Sequence, residues 1–167
     1  MQQAQRKIRI VTGVLKVEDV GEFLNRIKFK DCIAVFVDSE YVLDEKVLEF
    51  AVNKALRAWN EGRRVAKTIE MEILLYIAAT RQIEKAKNVG LKEGLNEVYL
   101  ILIGNCYDKL KEVTKFKEVK FSKNKNKKKI EKIIEFYGIN KNELEIVGLK
   151  KLPLLIRERI VLFDLFK

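Results

Sequence analysis

The sequence predicts an α+β fold: one domain over residues 1–167, with a mixed β-sheet of about four strands packed against several helices. Three observations lead there. Two short continuous apolar runs, Ile33–Val37 (IAVFV) and Val98–Ile103 (VYLILI), read as strands covered on both faces. Several longer stretches carry apolar residues at helical spacing, each with a capping residue or a terminating glycine. Strands and helices follow one another without strict alternation, and no internal repeat or linker interrupts them. A chain of 167 residues with 48% hydrophobic and 35% charged residues is long enough to bury a core without staples.

In chain order, Lys7–Val14 opens as a β-branched run with Ile8 and Ile10 alternating against Arg9. Asp19–Phe29 follows as a helix with Val20, Phe23, Leu24 and Ile27 on one stripe. After the first buried strand, Asp44 caps a long helix whose Leu48, Val52, Ala55 and Trp59 share a face and which Gly62 ends. Thr68 caps the next, with Met71, Ile73, Leu74, Leu75 and Ile77. A break near Ala79-Thr80 lets Thr80 cap a short helix, Arg81–Val89, stopped by Gly90. The second buried strand leads into a helix from Asn105 to about Lys115, then a more polar strand Phe116–Phe121. A helix from about Lys127 to Tyr137 closes at Gly138. The single proline, Pro153, starts a C-terminal helix to Leu165.

The formal charge of +10 makes an anionic partner plausible, and much of it is local: residues 115–132 hold nine lysines and two glutamates. The abundance of Lys and Glu fits the charge-rich pattern of hyperthermophile proteins. Cys32 and Cys106 each sit beside an apolar run. With no CxxC pair and no histidine, a zinc site is disfavoured and both cysteines read as buried free thiols in a reducing cytoplasm. The apolar runs are too short to span a bilayer and the N-terminal MQQAQRKIRI has no leader core, so a cytoplasmic protein is expected.

The search for catalysis comes back nearly empty. The usual base for a Ser or Cys nucleophile is missing, and Gly90 and Gly94 lack the spacing of a phosphate loop. Glu70 and Glu72, two apart on a helix, point to different faces and read as solvated first-turn acids. No enzyme activity, metal, cofactor or small-molecule substrate is expected. For Thr80-Arg81-Gln82-Ile83 two readings stand side by side. In one, Thr80 caps, Ile83 and Ala86 pack, and Arg81 pairs with Glu84 or Glu70. In the other, a guanidinium and an amide together at an exposed helix start meet a phosphate or a base edge.

The residues Glu72, Leu74, Tyr76, Ala78, Arg81, Gln82, Ile83, Ala86 and Gly90 form the string E-x-L-x-Y-x-A-x-x-R-Q-I-x-x-A-x-x-x-G. It resembles the small tRNA-recruiting subunit of the KEOPS (EKC) complex, the PRPK-binding protein family. The buried strand VYLILIG and the C-terminal LPLLIRERIVLFDLF are similar too. One departure is Ala79, where the family pattern leads one to expect glycine; alanine there implies a milder break. The resemblance implies a non-catalytic subunit that docks on the kinase-like ATPase subunit. It also implies a grip on tRNA, including its single-stranded CCA end, in support of threonylcarbamoyl-adenosine formation.

Two surfaces are expected to carry these roles. The RNA-facing one comprises Arg81, Gln82 and Lys85 on the motif, and Arg63, Arg64 and Lys67 after the long helix. The lysine run (Lys123, Lys125, Lys127, Lys128, Lys129) is a second RNA candidate, through phosphate attraction. The alternative function, a general RNA- or ribosome-associated protein, would use that run as its footprint. The kinase-facing surface is placed on the C-terminal helix at Leu155, Ile156, Ile160, Val161 and Phe163, flanked by Arg157 and Arg159. That helix has more apolar groups than one core stripe needs, and its competing explanation is burial in the chain's own core.

Overall fold

The computed structural model describes residues 7–122 and 126–167; Lys123 and Lys125 of the lysine run, and most of the N-terminal segment expected to lack a leader, lie outside them. The described residues form four strands and eight helices in α+β order. They divide into two compact units, one within Met1–Asp38 and Gly90–Phe121, the other within Ser39–Val89 and Ser122–Lys167.

The first unit is a sheet with two helices. Strand β1 (Ile8–Val17) leads through α1 (Val20–Arg26) to β2 (Ile33–Asp38). Later, β3 (Gly94–Ile103) leads through α5 (Tyr107–Val113) to β4 (Lys117–Glu118). The strand order is β2-β3-β1-β4, and every pairing is antiparallel. The expected mixed sheet is corrected on this point, and the reason is topological. β1 and β2, joined by a helix, run parallel but are not neighbours, because β3 inserts between them and pairs with both. This is the split βαβ arrangement of ferredoxin-like sheets.

Period-two alternation sends Val11, Leu15, Ala34, Phe36, Val98, Leu100 and Leu102 to one face, where Phe23, Ile27, Tyr107 and Leu110 join them. Ile33, Val35, Val37, Ile101 and Ile103, which point the other way, are buried as well, as the two apolar runs predict. The last strand is shorter than Phe116–Phe121. Phe116 leaves the ladder to pack its ring against Phe36 and Tyr107 (centroids 6.2 Å from each), and it passes so close to Gly13 that a side chain there would overlap it. Cys32 and Cys106 are bonded to each other, with Cα atoms 5.8 Å apart, and are not the free thiols expected. The expectation failed because the two lie 74 residues apart in sequence and only the fold brings them together.

The second unit is helical. α2 (Glu45–Asn60), α3 (Ile69–Ala78) and α4 (Ile83–Lys87) come from one segment, and α6 (Lys127–Tyr137), α7 (Lys141–Val147) and α8 (Leu152–Phe166) from the other. Two caps are those the sequence suggests: the Asp44 side chain accepts from the Val47 N–H (2.8 Å) and Thr68 from Met71 (3.2 Å), while Asn126 caps α6 by accepting from Lys129 (2.7 Å). Helix α7, which buries no residue, has no counterpart in the sequence reading. α3 packs against α2, α4 and α8. It is apolar nearly all round, with Ile73, Leu75, Tyr76, Ile77 and Ala78 buried. Among the described residues no helix is long and apolar enough to cross a membrane.

Candidate functional site

The motif segment is built by the way α3 ends. Ala79 adopts a left-handed conformation, φ 51° and ψ 47°, at the helix C-terminus. The Thr80 N–H donates to the Leu75 carbonyl (3.1 Å) and the Ala79 N–H to the Tyr76 carbonyl (3.2 Å), a Schellman termination. The expectation of a milder break is therefore corrected: alanine occupies a position that favours glycine and ends the helix as abruptly. Thr80 does not cap α4. Its Oγ1 accepts the Gln82 N–H (3.1 Å) in a tight turn, and Gln82 stands at the N-cap without a side-chain bond. The short helix is accordingly five residues, not nine.

Two motif residues are structural. Glu72 is fully buried, and its carboxylate accepts the N–H groups of Val65 (3.0 Å) and Ala66 (2.8 Å). It is not a solvated first-turn acid, because the chain from Arg63 to Lys67 folds back over it. Tyr76 sits in the core, its ring edge-on to Phe163 (4.9 Å), and its hydroxyl donates to Asp164. Burial, then the neighbouring Asp164, pushes the Tyr76 hydroxyl well above its ordinary pKa, so it remains a donor. Burial raises Asp164, but the hydrogen bonds from Tyr76 and Arg63 outweigh it and hold the carboxyl below its usual value.

Around this break lies an open groove of about 470 Å³. Ala78, Ala79 and Thr80 form one wall, the Phe136-Tyr137 end of α6 another, and Leu162, Phe163 and Phe166 of α8 a third. Its cations are Arg81, Lys85, Arg159 and Lys167. They are not equivalent. Lys85 lies over the Phe136 ring (5.0 Å), and Arg159 donates to the Tyr137 and Gly138 carbonyls (3.4 Å each) and pairs with Glu158 (3.6 Å). Lys167 has only 6% of its side chain exposed and pairs with Asp164 (3.6 Å); burial lowers its pKa, against the pull of Asp164 and Glu72. Arg81 is exposed, and among the described residues no carboxylate pairs with it, since Glu84 is engaged by Lys87 (3.7 Å). A free guanidinium beside the Phe136 ring and Phe166, which is 78% exposed, can neutralise a phosphate while a flat ring stacks on an aromatic face.

The other expected RNA residues lie elsewhere. Gln82 is exposed beside the groove without lining it. Arg63 is already committed, to Glu61 (2.8 Å) and Asp164 (3.2 Å), which raise its pKa in that order. Arg64 stacks over Trp59 (4.5 Å), and Lys67 is simply exposed. Lys127 and Lys128 are exposed in the first turn of α6, outside the groove. The sequence reading missed Phe136, Tyr137, Phe166 and Lys167 as groove residues. An adjacent aromatic pair, Phe136-Tyr137, just before the helix-ending Gly138 is the signal that was available for the first two.

The expected kinase-facing residues lie mostly inside the chain. Leu155, Ile156, Ile160 and Phe163 are buried in the chain's own core, and Val161 is half-buried, because α8 packs this line against α2 and α3. The apolar residues that α8 leaves exposed are Leu154 (53%), Leu162 (40%), Leu165 (67%) and Phe166. Arg157 lies over the Phe50 ring of α2 (5.4 Å) and, like Arg159, is bound up in the second unit. Among the described residues no group of three or more acidic or cysteine side chains could hold a metal ion.

Comparison with known proteins agrees with the motif. Residues 14–162 match the family model of kinase binding protein CGI-121. A stretch of 64 residues is 38% identical to the KEOPS complex subunit Cgi121 of Pyrococcus abyssi (strain GE5 / Orsay), covering 38% of this chain and 37% of that relative. The family match runs from Val14 in β1 through the break at Ala79 to Leu162 in α8, and the chain belongs to the CGI-121 family of kinase binding proteins.

Proposed function

We propose that the chain is a non-catalytic, cytoplasmic subunit of a KEOPS complex that docks on the kinase-like ATPase subunit and holds tRNA by its single-stranded CCA end, supporting threonylcarbamoyl-adenosine formation. The observation that carries the RNA half is the groove at the motif. Arg81 is unpaired there among the described residues, and aromatic rings lie within the same 470 Å³ space. An unpaired RNA end needs both a phosphate neutraliser and a stacking face, whereas a duplex offers no base face to stack. The docking half is supported by the exposed line Leu154, Leu162 and Leu165 on α8.

The test is binding of labelled tRNA with and without its terminal CCA, at one fixed salt concentration. The intact tRNA is expected to bind at least about tenfold more tightly, the worth of one charge-assisted contact. Equal affinity contradicts end recognition. For docking, Leu165→Glu is expected to abolish co-purification with the kinase-like subunit while leaving the fold intact. The same loss from a buried residue such as Ile160 would report only unfolding.

A second reading, general RNA binding through the lysine run, is favoured by one observation. Lys127 and Lys128 are exposed in the first turn of α6, where the helix dipole adds to their positive potential. Under that reading any RNA competes equally, and neutralising the two lysines removes most of the affinity.

A further inference from the structure

The two cysteines of the sequence, Cys32 and Cys106, are the residues that the KEOPS reading leaves without a role. Cys32 stands just before β2 and Cys106 just before α5, at the end of the β2–β3 ladder where Ile33 faces Ile103. The close approach there is made by the backbone. Gly104, at φ 108°, lets the chain leaving β3 press onto the turn entering β2, so that a Cβ on it would lie 2.7 Å from the Asp31 carbonyl oxygen and 3.3 Å from the Cys32 Cβ. The cysteine Cα atoms are thereby held 5.8 Å apart, in the middle of the range a disulfide spans. Cys106 is 3% exposed and Cys32 half-buried, which leaves Cys32 as the sulfur that an external thiol reaches first.

We propose that the Cys32–Cys106 bond is a redox-dependent staple of the sheet unit, formed and opened by thiol–disulfide exchange with small thiols and disulfides of the glutathione class. Formation proceeds in two displacements. The Cys32 thiolate attacks the external disulfide and expels one thiolate; the Cys106 thiolate then attacks the mixed disulfide at the Cys32 sulfur and expels the second. Two electrons pass to the external disulfide, which becomes two thiols, and the two cysteine protons leave to solvent or to those thiolates. The bond spans 74 positions, from before β2 to after β3, and long closed loops restrict the unfolded chain most. The abundance of Lys and Glu fits the composition of hyperthermophile proteins, a class in which such bonds persist inside cells.

The test uses the full chain equilibrated with oxidised glutathione, then unfolded in guanidinium with iodoacetamide and weighed intact, beside melting curves with and without dithiothreitol. The oxidised chain is expected to take up no alkyl group and the reduced chain two. Reduction is expected to lower Tm by about 10 °C. Cys106→Ser is expected to melt where the reduced chain does and to ignore reductant; should that variant fail to fold, the oxidised and reduced wild-type chains decide the matter alone. Two alkyl groups on the oxidised sample, or a Tm indifferent to reductant, overturns the proposal.

Discussion

Two basic segments of the helical unit, each following a helix, have opposite fates. Arg63 to Lys67, after α2, is tied down by the protein itself: Glu72 accepts the Val65 and Ala66 backbone N–H groups, Glu61 and Asp164 neutralise Arg63, and Trp59 carries Arg64. Arg81 to Lys85, after α3, faces outward, with Arg81 unpaired among the described residues and Lys85 only resting on a ring. In sequence the two look alike, as clusters of Arg and Lys at helix ends. The difference teaches that a count of cations measures attraction to anions only after the protein's own carboxylates have taken their share.

The tied-down segment is broken most severely at Glu72. Replacing it by alanine leaves the buried Ala66 N–H and the part-buried Val65 N–H without their acceptor, and a loss of about 2–3 kcal/mol is expected in denaturant unfolding. A loss of a few tenths would mean that the loop is not held by this carboxylate. The outward segment is sharpened by Ala79→Gly. Glycine relieves a left-handed alanine that costs about 1–2 kcal/mol, set against about 0.5–1 kcal/mol of extra unfolded-state entropy. A net gain of about 0.5–1 kcal/mol is expected in denaturant unfolding. A destabilised variant would show that Ala79 is not left-handed in solution.

Much of the fold was legible because its signals are local. Asp44 and Thr68 each mark a helix start, and IAVFV and VYLILI announce two-sided burial in five or six letters. Helix α7 escaped because it has neither an apolar stripe nor a buried residue to betray it. β4 was overread because the packing of Phe116 against Gly13, 103 positions earlier, removes it from the ladder. The same limit governs the site. Arg81 and Lys85 were found from a contiguous motif, whereas the aromatic walls come from the ends of α6 and α8, which only folding brings to Ala79. On α8 the excess of apolar residues was visible, but which of them face the core was decided by α2 and α3.

The contrast between the two arginines is open to a single binding experiment. Wild-type chain, Arg81→Glu and Arg63→Gln are titrated against intact tRNA and against tRNA lacking its CCA end. The wild type and Arg63→Gln are expected to favour the intact tRNA by about tenfold or more, and Arg81→Glu to bind both forms equally and weakly. If Arg81→Glu keeps the preference for the CCA end, or Arg63→Gln loses it, the groove beside Ala79 is not where the RNA end is held.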